Sequence, residues 1–308
     1  MVYNKMNEVF VFIKKLRKGR NAMDKLAGKD IEKYYFRKRA VRIFALLSAV
    51  VCAVLFSAAL VLEFDTDKVI YAQDAVFAPL AETAAAVCSL AAVIMCIFIP
   101  KEKETENLFP EENRYDFYFR FDPLPVKAAR YVTALVIFLE SLADFVMVSL
   151  AENYLFSPWF EIVRLVLAFA LALYFVPELA DMSAGFLGKA HLYCGSVGCL
   201  WFFFTVIKSY FDMSLPISSH YRSAEHLCVI LCLLGILFDI KLRTGALSIK
   251  RRLAFLSVGF IVSFGFNFGR LVMLLFGKNP SFFDTVTMIY CLTLSVYFGA
   301  RLLFYTEE

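Results

Sequence analysis

The sequence predicts an all-α protein, a polytopic integral membrane helical bundle of about eight transmembrane helices with the N and C termini cytoplasmic. Three observations carry that expectation. The 308-residue chain is 60% hydrophobic, with 34 Phe, only 19% charged residues and a mean hydropathy of +0.66, far more apolar than a soluble domain of its length needs for a core. Its apolar residues gather into runs of about 20, the helical length that crosses roughly 30 Å of hydrocarbon, and such runs are too long for barrel strands. The connectors between the runs alternate between strongly basic and nearly cation-free.

Taken in order, the runs place spans at Val41–Leu62, Ala75–Ile99, Ala128–Leu150, Pro158–Val176, Ala190–Lys208, Ala224–Ile240, Leu253–Phe276 and Phe282–Leu303. The first begins behind a long basic stretch and is too long for a signal-peptide core, so it reads as an uncleaved anchor. In the fourth, Ser157 is positioned to cap, Pro158 occupies the first turn where a missing N–H costs nothing, and Pro177 stops the helix. Trp159 suits an interfacial aromatic belt. The sixth is the least apolar at its ends, with Glu225 and His226 near its start and Asp239 near its end.

Lysine and arginine positions set the direction of crossing. Of the 32, 26 fall at the N terminus, in or beside alternate connectors and at the C-terminal end, Lys68, Arg222 and Lys278 fall in the other connectors, Lys208 and Arg270 in the span ends on that side, and Arg164 lies within the fourth span. The positive-inside rule then puts both termini in the cytoplasm, as an even number of crossings requires. The chain divides into a basic cytoplasmic segment (1–40), a transmembrane domain (41–303) with a cytoplasmic connector at 101–127, and a short tail (304–308).

Two regions outside lipid carry alternative readings. In the N-terminal segment, Val9, Phe10, Phe12, Ile13 and Leu16 are mixed with basic residues, which suits either a helix lying on anionic lipid or a topology-setting tail. In the connector, Tyr115, Phe117, Phe119 and Phe121 alternate mostly with charges, which suits an extended segment at the lipid interface or a short docking strand for a cytoplasmic or membrane partner protein. The lipid bilayer is the expected partner, and nucleic acid is not.

All eight cysteines fall inside predicted spans, which argues against a disulfide framework and for small buried hydrophobes. No cofactor or metal site is expected: His220 and His226 are separated by five intervening residues, a spacing that matches no helical-face pattern. There is no Walker loop, GxGxxG, HExxH, GxSxG or Asp-rich metal repeat, and Ser141 has no His in its helix, so the reading favours a protein that is not an enzyme. No internal repeat relates the halves, which weighs against repeat-built transporter folds. Gly265 and Gly269 form a GxxxG, and Gly195, Ser196 and Gly198 a second small-residue notch, where a neighbouring helix can approach closely.

The most informative residues are ionisable groups within the apolar runs, each of which costs at least ~2.5 to 3.5 kcal/mol at membrane depth and normally faces the bundle interior. Glu140, ten residues from both Arg130 and Leu150, lies ~15 Å from either end of its span, near the midplane. Asp144 is one turn further out on the same face, and the short connector makes the third and fourth spans antiparallel neighbours, so Asp144 can meet Arg164, which shares a face with Glu161. Glu82, Asn267 and Arg270 complete an expected polar layer in the outer half of the bilayer, while the inner half looks almost bare apart from Asp239.

Two readings of the layer stay open. The charges are interhelical pairs that fix register, Asp144 with Arg164 and Glu82 or Glu161 with Arg270. Alternatively, Glu82, Glu140, Asp144 and Glu161 outnumber Arg164 and Arg270, and burial lets Glu140 bind and release a proton as part of a ligand or proton site. The expected function is a solute- or proton-responsive permease-like or sensory component of the cell membrane; the alternative is a non-catalytic structural or accessory subunit.

The connector after the fifth span contains an Asp-Met-Ser-x-Pro run (Asp212, Met213, Ser214, Pro216). This run and its adjoining helices resemble multi-pass membrane proteins of Clostridia-type bacteria that carry no assigned function. The resemblance implies a multi-pass protein and no particular chemistry.

Overall fold

The computed structural model describes residues 28–65, 70–72, 74–99, 123–150, 157–176, 186–211, 220–243, 249–278 and 282–304. Most of the N-terminal basic segment, the aromatic part of the 101–127 connector and the Asp-Met-Ser-x-Pro run lie outside these residues.

Helix α1 (Gly28–Ala58) runs on through a π-helical turn, Ala59–Glu63, to a two-stranded antiparallel hairpin of β1 (Phe64–Asp65) and β2 (Ile70–Tyr71). Then come α2 (Phe77–Ile97), α3 (Leu124–Leu150), α4 (Pro158–Phe175), α5 (Phe186–Gly198), α6 (Leu200–Phe211) and α7 (His220–Arg243). Helices α8 (Ile249–Gly259) and α9 (Gly265–Leu275) are joined by a second π-helical turn, Phe260–Phe264, and α10 (Phe282–Phe304) follows. Among the described residues the helices group into eight rods, because α5 continues into α6 and α8 into α9, and seven of these rods are long and apolar enough to cross a membrane. The other, α3, is 27 residues long, but Lys127, Arg130, Glu140 and Asp144 interrupt its apolar run.

Rod ends match the expected spans closely, with instructive exceptions. Helix α1 starts at Gly28, so the division expected at residue 40 falls inside a helix. Charged residues continue the helical hydrogen bonding past the apolar run, because helix formation asks only for backbone compatibility. Ser157 takes the extended backbone of an N-cap (φ −66°, ψ 149°), but its side chain makes no capping bond, and Pro158 follows at the first turn. The hairpin was not expected from an all-helical reading. Its function is local: Glu63 accepts the backbone N–H groups of Val76, Phe77 and Ala78 at 2.7, 2.8 and 2.9 Å, so a carboxylate from the preceding rod caps the positive end of α2.

Ties between rod ends show an up-and-down bundle. At the end where α1 begins and α10 finishes, here the near end, the Arg37 guanidinium donates to the Phe98 carbonyl at 2.5 Å and Lys250 donates to that of Ile99. At the far end, Lys278 donates to the carbonyls of Val61 (2.8 Å) and Phe64 (3.3 Å), and Arg222 to that of Ser209.

The surface is the inverse of a water-soluble protein's. Ile43, Leu47, Val54, Leu90, Leu135 and Val166 face outward, while Arg130, Arg164, Arg222 and Arg270 are among the largest fully buried side chains. Water would reward the opposite distribution, and lipid rewards this one. Helix α10 is the most enclosed membrane-length rod and α2 the least. The small-residue motifs set two close crossings. A Cβ at Gly265 would lie 2.8 Å from the Cys52 Cβ and one at Gly269 2.9 Å from Phe56, so the GxxxG seats α9 against α1. A Cβ at Gly198 would likewise lie 2.7 Å from the Leu171 backbone, so this glycine brings α5 onto α4.

Candidate functional site

Three helices build an ion cluster towards the far end. Glu140 and Asp144 stand one turn apart on α3, and Glu161 and Arg164 one turn apart on α4, because i,i+3 and i,i+4 positions share a helical face. Trp201, Thr205 and Lys208 form a matching stripe on α6, at i, i+4 and i+7. Exposure is 8% for Glu140, 1% each for Asp144, Glu161 and Arg164, and 3% for Lys208.

Arg164 is the hub. Its Nη2 meets Glu140 Oε1 at 2.5 Å, while its Nη1 binds Asp144 Oδ2 and, at 3.2 Å, Glu161 Oε2. Its Nε donates to Thr205 Oγ1 at 3.4 Å. Lys208 Nζ bridges Asp144 Oδ2 at 2.9 Å and Glu161 Oε1 at 2.8 Å. Neutral donors orient one carboxylate further: Trp201 Nε1 donates to Ser141 Oγ (2.8 Å), which donates to Glu140 Oε2 (2.8 Å). Asp144 Oδ1 is buried with no hydrogen-bond partner among the described residues.

The cluster therefore holds three carboxylates and two cations among the described residues. Asp144 and Glu161 each touch both cations, and Glu140 touches only Arg164. In a low-dielectric interior an excess charge costs several kcal/mol unless a proton or a small cation neutralises it, and Glu140 is the least compensated of the three.

A second buried group is separate in its contacts. Arg270 on α9 lies 3.5 Å from Glu225 on α7, donates to Asn267 Oδ1 at 3.3 Å, and stacks over Tyr221 (5.2 Å) and Phe266 (5.7 Å). Asn267 donates to the Ser263 carbonyl at 2.8 Å inside the π-helical turn. Between the two groups sits Tyr290. Its ring packs edge-on against Trp201 at 4.9 Å, its buried hydroxyl has no hydrogen-bond partner among the described residues, and it feels the charges of Glu140, Glu225 and Arg164.

The expected layer thus divides, and several expected pairings are corrected. Asp144 and Arg164 do meet. Glu161 turns to Arg164 and Lys208, not Arg270, and Arg270 finds Glu225. Glu82 leaves the layer altogether: its side chain is 44% exposed and lies 3.7 Å from His220 Nδ1. Lys208 was read as a span-end cation and Glu225 as a terminal charge. The Trp201, Thr205, Lys208 stripe was the signal that could have placed Lys208 inside.

The near half is also not bare. Asp239 Oδ1 pairs with Arg252 at 2.8 Å, and its Oδ2 accepts the hydroxyls of Tyr174 and Tyr297, each at 3.0 Å. Arg301 Nε donates to the Tyr297 oxygen at 3.1 Å, while Arg130 Nη2 (3.3 Å) and His191 Nε2 (2.7 Å) converge on the Tyr174 carbonyl. Tyr174 and Tyr297 carry no charge and lie in other helices far along the chain, so no local sequence signal marks them as partners of Asp239.

Comparison with known proteins finds no matching family model, curated protein or solved structure. The functional reading rests on the geometry.

Proposed function

We propose that the protein is an eight-span component of the cell membrane, with α3 as one of its spans, both termini in the cytoplasm and the Arg164 cluster in the outer half of the bilayer. Its function is proton-responsive, permease-like or sensory, with Glu140 as the group that gains and loses the proton. One observation carries this reading: among the described residues three buried carboxylates share two cations, so these five groups are one positive charge short when all are ionised. A proton on Glu140 balances it, and release of that proton loads the cluster with a charge that favours either a conformational change or uptake of a cationic solute. Tyr290, whose ring packs against Trp201, offers a buried hydroxyl near the cluster.

The test uses reconstituted protein, with the Glu140→Gln variant beside the wild type. Infrared difference spectra between acid and alkaline buffer should show a buried carboxylic acid C=O band that Glu140→Gln removes, and a pH gradient across proteoliposomes should drive a response that the variant loses while melting normally. A wild type without that band, or a variant that keeps it, sinks the reading. The competing structural role is supported by the density of the Arg164 contacts; it predicts that Glu140→Gln is silent in every one of these measurements.

A further inference from the structure

The two oxygens of Glu140 have different neighbours. Oε1 faces the Arg164 guanidinium at 2.5 Å, and Oε2 accepts the Ser141 hydroxyl at 2.8 Å, its one hydrogen bond among the described residues. Ser141 Oγ in turn accepts the Trp201 indole N–H at 2.8 Å. The other charged groups around Glu140 are Asp144 on α3, Glu161 on α4 and Lys208 on α6, and they pair among themselves and with Arg164. The Tyr290 hydroxyl of α10 is buried and makes no hydrogen bond among the described residues.

We infer, on the reading of Glu140 as the group that gains and loses the proton, that the proton is held at Oε2 and that Trp201, acting through Ser141, sets how tightly. A guanidinium offers donors only, so a proton on Oε1 would point at another proton. At Oε2 the proton meets a hydroxyl, which can both donate and accept. Ser141 donates to the ionised carboxylate and turns to accept once Oε2 is protonated. Trp201 biases that turn. Its N–H is a donor only, and a hydroxyl that accepts one bond becomes a better donor and a poorer acceptor, which favours the ionised carboxylate. The indole is held in place: Trp201 is fully buried, its ring packs edge-on against Tyr290 at 4.9 Å and Phe202 at 5.0 Å, and the Arg164 guanidinium carbon lies 5.8 Å from its centre. Trp201 is thus a positioning residue. It lies near the start of α6, the helix that also carries Lys208 to Asp144 and Glu161, so by reciprocity the ionised Glu140 holds α6 to α3 more firmly than the protonated one does.

The experiment follows the Glu140 carboxylic acid C=O band against pH by infrared difference spectroscopy on the reconstituted full chain, with Ser141→Ala and Trp201→Phe beside the wild type. Ser141→Ala removes the donor to Oε2 and should raise the midpoint by about one pH unit, a tenfold gain in proton affinity. Trp201→Phe keeps an aromatic ring without the N–H and should raise it about half as far. Should Trp201→Phe fail to fold, the bond is read in Trp159→Phe, which leaves Trp201 as the one indole of the chain: its N–H resonance Raman band should move between acid and alkaline buffer. An unmoved or lowered midpoint in Ser141→Ala overturns the inference and leaves Glu140 as the proton site. An unmoved midpoint in Trp201→Phe, or a Raman band that stays fixed, overturns the role of Trp201. A wild type with no carboxylic acid band removes the reading of Glu140 itself.

Discussion

Asp144 towards the far end of the bundle shares two cations with two other carboxylates, whereas Asp239 at the near end is held by one guanidinium and two phenol hydroxyls. Both are 1% exposed, so burial alone does not separate them. What differs is the chemistry of the partners. Around Asp144 the shell is ionic and its charges do not cancel, so a proton entering or leaving changes the energy of every neighbour. Around Asp239 the Arg252 guanidinium answers the charge and two neutral hydroxyls bind without adding any, so the carboxylate joins α4, α7, α8 and α10. A buried charge that competes with other acids for the same cations is suited to switching, and one answered by a guanidinium and neutral donors is suited to holding.

Substitutions can break this contrast, and the largest effect is expected at its hub. Among the described residues Arg164→Gln leaves Glu140 with no cation and Asp144 and Glu161 with Lys208, and should cost about 3 to 5 kcal/mol, seen as lost yield or a collapsed thermal melt. A wild-type melt for that variant would show that the cluster is already neutralised by other means. Asp239→Asn should cost less, about 2 to 3 kcal/mol in a denaturant titration, because the amide oxygen still accepts both tyrosine hydroxyls while the ion pair with Arg252 is lost.

Smaller effects sharpen the comparison. Lys208→Met should destabilise by about 1 to 3 kcal/mol, and adding Glu161→Gln should recover part of that loss, a coupling that a double-mutant cycle measures directly. Glu140→Gln should change stability by less than about 1 kcal/mol while abolishing the proton-linked infrared band, separating function from folding at one atom. Glu82→Gln should be silent within about 0.5 kcal/mol in the same melt, since its side chain already reaches the exterior beside His220.

The rods were legible because the apolar runs are long and the signals at their ends are local: Pro158 and Pro177 bracket α4 to within a residue or two. The meeting of Asp144 and Arg164 was legible for a similar reason, since a short connector leaves α3 and α4 antiparallel and adjacent. Lys208 and Glu225 were not, because a residue near a rod end reads equally as buried or as reaching to the headgroups until the neighbouring rods are in place. Nor was the seat of Asp239, whose phenol partners lie 65 residues before it and 58 after it.

By itself the amino-acid sequence determined that the chain is helical and built for lipid, and where its rods begin and end, because these follow from backbone hydrogen bonding in hydrocarbon and a rise of about 1.5 Å per residue. Only the tertiary structure decided which acid meets which base. Pairing depends on how each rod is rotated and tilted against its neighbours, and that is set by close contacts such as Gly265 and Gly269 on Cys52 and Phe56 between distant segments, to which the periodicity of a single helix is blind.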